Sequence, residues 1–222
     1  MRGTLRDDGR LAVVGLWLLA FFDLLKTAVA EHFWEIFHMP IEKLTRWSGL
    51  AAALGGAFFV FIMYFEVPVN ENSLFRWTLL PMLLLWGVAL TGLYRRLPAG
   101  SSAGNKMTFG LALISLLLLG AGAFTFWLSD PDLPWYLLGI GFYGLAIGII
   151  GMGIIALKHQ VLGVWRFVPL ILGGVFLGFM VIATIAQQLS LAFLILNGVG
   201  WLLLGMALWQ EYREPLEPGL FA

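Results

Sequence analysis

The chain of 222 residues is 60% hydrophobic and 12% charged, and its 13 basic and 13 acidic residues cancel to a formal net charge of zero. Soluble domains carry about 25% charged residues, so a chain this apolar cannot clothe a folded exterior in polar groups and must be solvated by lipid. The charge balance leaves no basic footprint for nucleic acid, and the lack of cysteine excludes disulfides, thiolate-held zinc, iron–sulfur clusters and thiol catalysis.

A membrane helix needs about 20 mostly apolar residues. Seven segments meet or approach that length: 11–26, 50–65, 77–94, 107–128, 135–157, 167–186 and 189–209. The predicted fold is all-α, a polytopic bundle of about seven transmembrane helices forming one integral membrane domain over residues 1–222. Strand edges cannot face hydrocarbon, and the alternating ten-residue segments of a barrel are missing.

The first segment has a rival reading. Arg2, Arg6 and Arg10 before it and "AVA" at 28–30 after it fit a secretory signal with a small-residue cleavage site. Asp7 and Asp8 in the basic region oppose this, as do Asp23 and Lys26 between the apolar run and the cut. Asp23 and Lys26 stand three apart and can pair on a helix. A charge near the bilayer centre costs about 2.5–3.5 kcal/mol, so both are candidate buried polar contacts; if the span ends near Lys26, that lysine instead snorkels to the cytoplasmic interface and Asp23 follows it. Asn197 in the seventh segment is a candidate hydrogen-bonding partner.

Between the first and second segments lies "EHFWEIFH" at 31–38. At about 100° per residue, Glu31, Glu35, His38, Glu42 and Arg46 share one stripe, with Phe33, Ile36, Phe37 and Leu44 roughly opposite. This predicts an amphipathic helix in the interface plane, with Trp34 and Trp47 in the aromatic belt and a bend at Pro40. The Glu35-x-x-His38 spacing also matches carboxylate-bridged di-iron sites, but these need a second such pair. His159 is the only histidine outside the segment. A mononuclear metal site built from Glu31, Glu35, His38 and His159 is the sharp reading, and a solvated polar face the bland one.

The later segments are rich in glycine. Gly141, Gly144, Gly148 and Gly151 fall on one face of the fifth, and Gly174 with Gly178 forms a GxxxG in the sixth. Small residues let helix backbones approach in lipid, where no hydrophobic force draws helices together. Pro81 and Pro169 are expected to kink their helices. The chain also matches itself. Aligning "LGGAFFVF" at 54–61 with "LGGVFLGF" at 172–179 carries "GVALTGLYR" at 87–95 onto "GMALWQEYR" at 205–213, with 13 identities over 42 positions. This predicts two parallel three-helix units, 11–96 and 134–213, joined by the span at 107–128.

Orientation follows from basic residues. The connections after the first, third and fifth segments hold Lys43 and Arg46, then Arg95, Arg96 and Lys106, then Lys158 and Arg166, and the C-terminal tail adds Arg213. The alternate connections hold only Arg76. The C-terminus is therefore expected in the cytoplasm and the N-terminus outside, although Arg2, Arg6 and Arg10 run against this.

Proton pumping needs several ionisable groups at depth, and these spans lack them. A retinal Schiff base needs a lysine in the seventh span, and 189–209 has none. Phosphate-cradling loops, Gly-x-Ser-x-Gly and His-Glu-x-x-His are also missing. Leu/Gly-rich segments edged by Arg and Trp resemble those of many small bacterial membrane proteins, which implies a bacterial inner membrane. The three-plus-one-plus-three layout is similar to that of the sugar-transporting SWEET family. That likeness is topological, and no residue carries over.

The leading expectation is a non-enzymatic accessory or scaffold subunit without a cofactor, its partners being the lipid bilayer and another membrane protein or a second copy. The alternative is a small-solute transporter with its site between the repeat units. A third is a metal-dependent enzyme centred on Glu35 and His38. A filled interior with an exposed small-residue groove favours the first, a polar cavity at mid-membrane the second, and approach of His159 to His38 the third.

Overall fold

The computed structural model describes residues 40–66, 75–97, 103–125, 133–185 and 190–213. By its contacts the chain divides into Met1–Pro40 and Ile41–Ala222, and the second unit is a helical bundle. Its α-helices are α1 (Ile41–Glu66), α2 (Phe75–Arg96), α3 (Ala103–Thr125), α4 (Leu133–Lys158), α5 (Val168–Ile185) and α6 (Ser190–Arg213), with a 3₁₀ turn at Gly163–Trp165 before α5.

Every described helix overlaps one of the apolar segments, and the proline positions suit them. Pro134 and Pro169 fall in the first turns of α4 and α5, where the amide they lack has no helical acceptor. For Pro169 the expected cost to the helix therefore does not arise. Pro81 lies inside α2, where it removes one ladder bond. By length and composition, Lys43–Phe61, Ala103–Ala123, Leu133–Lys158 and Gly163–Ile182 can each cross a membrane, and α6 contributes the shorter apolar stretch Ile195–Gln210. The first predicted span, 11–26, lies outside the described residues.

Consecutive helices pack side by side, and α6 returns to pack on α1, so the six form a ring in chain order. The contacts between α3 and α4 and between α6 and α1 are the most extensive. Gly49 of α1 meets Gly205 of α6, while Gly56, two turns later, meets Gly198, two turns earlier. These two helices are therefore antiparallel, as an alternating ring of six requires. A Cβ at Gly49 would stand 2.9 Å from the Gly205 carbonyl oxygen, and one at Gly56 2.6 Å from that of Gly198. Real Cβ atoms do not approach so closely, so only glycine permits this backbone contact. The seven-residue repeat on both helices returns the small residues to one seam.

Aromatic rings fill the interior. Trp86 of α2 stacks on Trp201 of α6 with centroids 4.7 Å apart. Phe59 of α1 and Phe176 of α5 flank Trp86 at 5.4 and 5.6 Å, and Phe142 of α4 reaches Phe176 at 6.0 Å. Five of the six helices thus meet in one cluster. Such pairs add about 0.5–1.5 kcal/mol each beyond burial. The exterior is the reverse of a soluble surface: Leu84, Leu117, Ile147 and Ile171 are each more than half exposed. Contiguous apolar surface of this kind needs a non-aqueous neighbour.

One expectation is redrawn at Pro40. Residues 41–46, assigned above to the interfacial helix, are the opening turns of α1. Leu44 and Thr45 are each 1% exposed, so this stretch is packed into the bundle. Arg46 lies over the Trp209 ring at 5.4 Å. Residues 31–39 lie outside the described residues.

Candidate functional site

Three features offer themselves as sites: the interior, the outer face of α5, and the basic end of the ring.

The interior carries polar atoms in an apolar setting. The buried hydroxyls fold back on their own helices. Ser48 donates to the Thr45 carbonyl at 2.8 Å, Thr91 to that of Gly87 at 2.8 Å and Ser115 to that of Leu111 at 2.7 Å. Thr45 accepts from Arg96 Nε at 3.0 Å. Asn197 differs. It is 1% exposed, and neither its Oδ1 nor its Nδ2 has a hydrogen-bond partner among the described residues. The indole Nε1 atoms of Trp86 and Trp201 are likewise buried without partners there. Moving an amide from water into hydrocarbon costs about 4–8 kcal/mol when nothing replaces its hydrogen bonds. Asn197 stands one turn before Trp201 on the same face of α6. Its expected partner Asp23 lies outside the described residues, as does Lys26.

The predicted glycine faces part company. Gly141, Gly144, Gly148 and Gly151 all lie against α3, on the row Thr108, Ala112, Ser115 and Leu119. A Cβ at Gly148 would meet both the Ala112 amide nitrogen and the Thr108 carbonyl oxygen at 2.9 Å. The GxxxG of α5 does not share this setting. Gly174 is exposed, with no atom within 4 Å of where its Cβ would stand, and Gly178 is half-exposed. Gly110 and Gly139 are similarly open.

Because the helices alternate, Lys43, Arg46, Arg95, Arg96, Lys106, Lys158 and Arg166 gather at one end of the ring, where α1 begins, α2 ends, α3 begins, α4 ends and α5 begins. Arg76, at the start of α2, belongs to the other end. The Trp165 indole donates to Gln210 Oε1 at the basic end, tying the turn before α5 to α6. His159 is exposed just after α4, its amide bonded to the Ile155 carbonyl at 3.0 Å. Among the described residues no three of His, Cys, Asp and Glu are grouped as a metal would require. Glu31, Glu35 and His38 lie outside them.

Sequence reasoning passed over two features. The α1–α6 seam was signalled by the equal seven-residue spacing of Gly49 with Gly56 and of Gly198 with Gly205. The aromatic cluster was signalled by depth: Trp86 and Trp201 sit near the middle of their helices, whereas membrane tryptophans concentrate at the interfaces. Of the two repeat blocks, one keeps its surroundings in both copies and the other does not. Gly87, Ala89 and Leu90 are buried, as are their counterparts Gly205, Ala207 and Leu208. Leu54 and Phe58 are 49% and 40% exposed, while Leu172 and Phe176 are fully buried.

No protein-family model, curated protein or solved structure matches the chain. Among the described residues, what stands is an all-helical bundle with four membrane-capable helices.

Proposed function

We propose that the chain is a non-enzymatic, multi-pass protein of a bacterial inner membrane, serving as an accessory or scaffold subunit that docks a partner helix on the outer face of α5. The observation that carries this is the open Gly174. The glycine row of α4 and the seam glycines of α1 and α6 are closed by a neighbouring helix, whereas Gly174 of the α5 GxxxG faces outward near the exposed Ile171. The aromatic rings that meet between five of the helices support the same reading. In this arrangement the segment at 11–26 is a further span, making seven. The basic end faces the cytoplasm under the positive-inside rule, and the N-terminus lies outside.

Native mass spectrometry on protein gently extracted from its own membrane tests the docking. The expected result is a stoichiometric second polypeptide or second copy, lost from Gly174→Leu while the bundle stays folded. A bare monomer from both proteins would overturn it.

Small-solute transport between two parallel repeat units is the second reading. One observation favours it: the buried amide of Asn197, for which the packing supplies no partner among the described residues.

A further inference from the structure

We infer that Asn197, with the Trp201 indole one turn along α6 and the Trp86 indole stacked on it, forms an interior site for a small neutral molecule bearing both a hydrogen-bond acceptor and a donor. The inference does not depend on the docking surface of α5, and it narrows the transport reading to uncharged cargo if that reading holds.

The cluster first calls for a hydrogen-bonding occupant. Four of its buried polar atoms lack partners among the described residues: Oδ1 and Nδ2 of Asn197 and the two indole Nε1 atoms. Buried polar groups in folded proteins are nearly always satisfied, and those left over signal a water, ion or other molecule. In hydrocarbon no solvent fills in. The interior hydroxyls satisfy themselves on backbone carbonyls of their own helices; the amide of Asn197 does not.

A dry alternative accounts for only part of the cluster. An indole N–H can rest on an aromatic face, and the Trp86 and Phe176 rings meet near a right angle, at 84°. The two polar atoms of Asn197 offer both a carbonyl and an amide, and an aromatic face serves no carbonyl oxygen.

Chemistry then restricts the occupant. The site offers N–H donors from three side chains and one carbonyl acceptor. Its occupant must therefore accept hydrogen bonds and donate at least one, as a hydroxyl or primary amide does. The described surroundings also suit an uncharged molecule. Among the described residues the buried polar side chains are Thr45, Ser48, Thr91, Asn105, Ser115 and Asn197, and no charged one is among them to offset an ion. Water and a small neutral organic molecule share this chemistry.

Selective isotope labelling tests the site in the full chain. The sequence has only four asparagines, so perdeuterated protein carrying ¹⁵N-labelled asparagine, in nanodiscs of deuterated lipid, yields few side-chain amide pairs. Asn197→Leu identifies the relevant pair by its loss. The expected result is cross-relaxation from the Asn197 amide protons to water, or to non-exchanging protons of a retained organic molecule; the two signals distinguish the two occupants. With ¹⁵N-tryptophan, the Trp86 and Trp201 indole signals, identified by Trp86→Phe and Trp201→Phe, should shift in Asn197→Leu. Absence of cross-relaxation in the unsubstituted protein would overturn the site, and that arm needs no variant to fold.

Discussion

The inner and outer faces of α5 begin from adjacent residues. Gly173 is pressed against α4, where a Cβ would stand 2.9 Å from the Ile150 amide nitrogen and 3.0 Å from the Ala146 carbonyl oxygen. Gly174, one residue and about 100° further round the helix, meets nothing within 4 Å. The same residue type closes a backbone seam at one position and leaves an open face at the next. Composition cannot separate the two roles, whereas helical phase against a known neighbour can.

Substitutions can break or sharpen this contrast. The largest effect is expected at the cluster on which the inner faces converge. Trp86→Ala should destabilise the bundle by about 3–5 kcal/mol, read as a lowered midpoint in reversible detergent-denaturant unfolding. Next comes the α1–α6 seam. A Cβ at Gly205 would lie 2.6 Å from the Gly49 carbonyl oxygen and 2.8 Å from the Ala53 amide nitrogen, backbone atoms that cannot rotate aside. Gly205→Ala should cost about 1–3 kcal/mol by the same measurement.

The adjacent pair is the sharpest test. Gly173→Ala should destabilise by a similar overpacking cost, about 1–3 kcal/mol. Gly174→Ala should be neutral or stabilising, by up to about 1 kcal/mol from helix propensity. Equal effects at the two positions would mean that α5 is not rotated as described. A small gain is expected far from both faces. Gln160 has φ 55° at the end of α4. The Val161 amide reaches the Ala156 carbonyl at 3.0 Å and the Gln160 amide that of Leu157 at 3.3 Å, the bonding of a Schellman cap whose left-handed position favours glycine. Gln160→Gly should raise the unfolding free energy by roughly 0.5–1 kcal/mol, read as a higher midpoint.

Much of the helical plan was legible because apolar length is a coarse and robust signal. The segment at 77–94 became Phe75–Arg96, and that at 135–157 became Leu133–Lys158. The exception is instructive. The second segment was begun at 50, but α1 starts at Ile41. Lys43 and Arg46 made its opening turns look superficial, although Leu44, Thr45 and Ser48 on the neighbouring face are packed inside. A helix can be wet on one side and buried on the other, and hydropathy averages the two. Asn197 was legible as a polar residue at depth, but not its lack of a partner, which depends on which side chains the ring turns toward it. The ring order itself lay beyond the sequence, since it depends on α6 returning to α1.

That return has a consequence for biosynthesis. Membrane helices leave the ribosome in order, and contacts distant in sequence wait for their later member. The α1–α6 seam joins the first and last helices of the ring, so the glycine face of α1 must wait until α6 has been made. Through that interval Gly49 and Gly56 line an open groove that any passing small-faced helix could enter. The ring is thus most open to wrong partners in the time between the synthesis of α1 and that of α6.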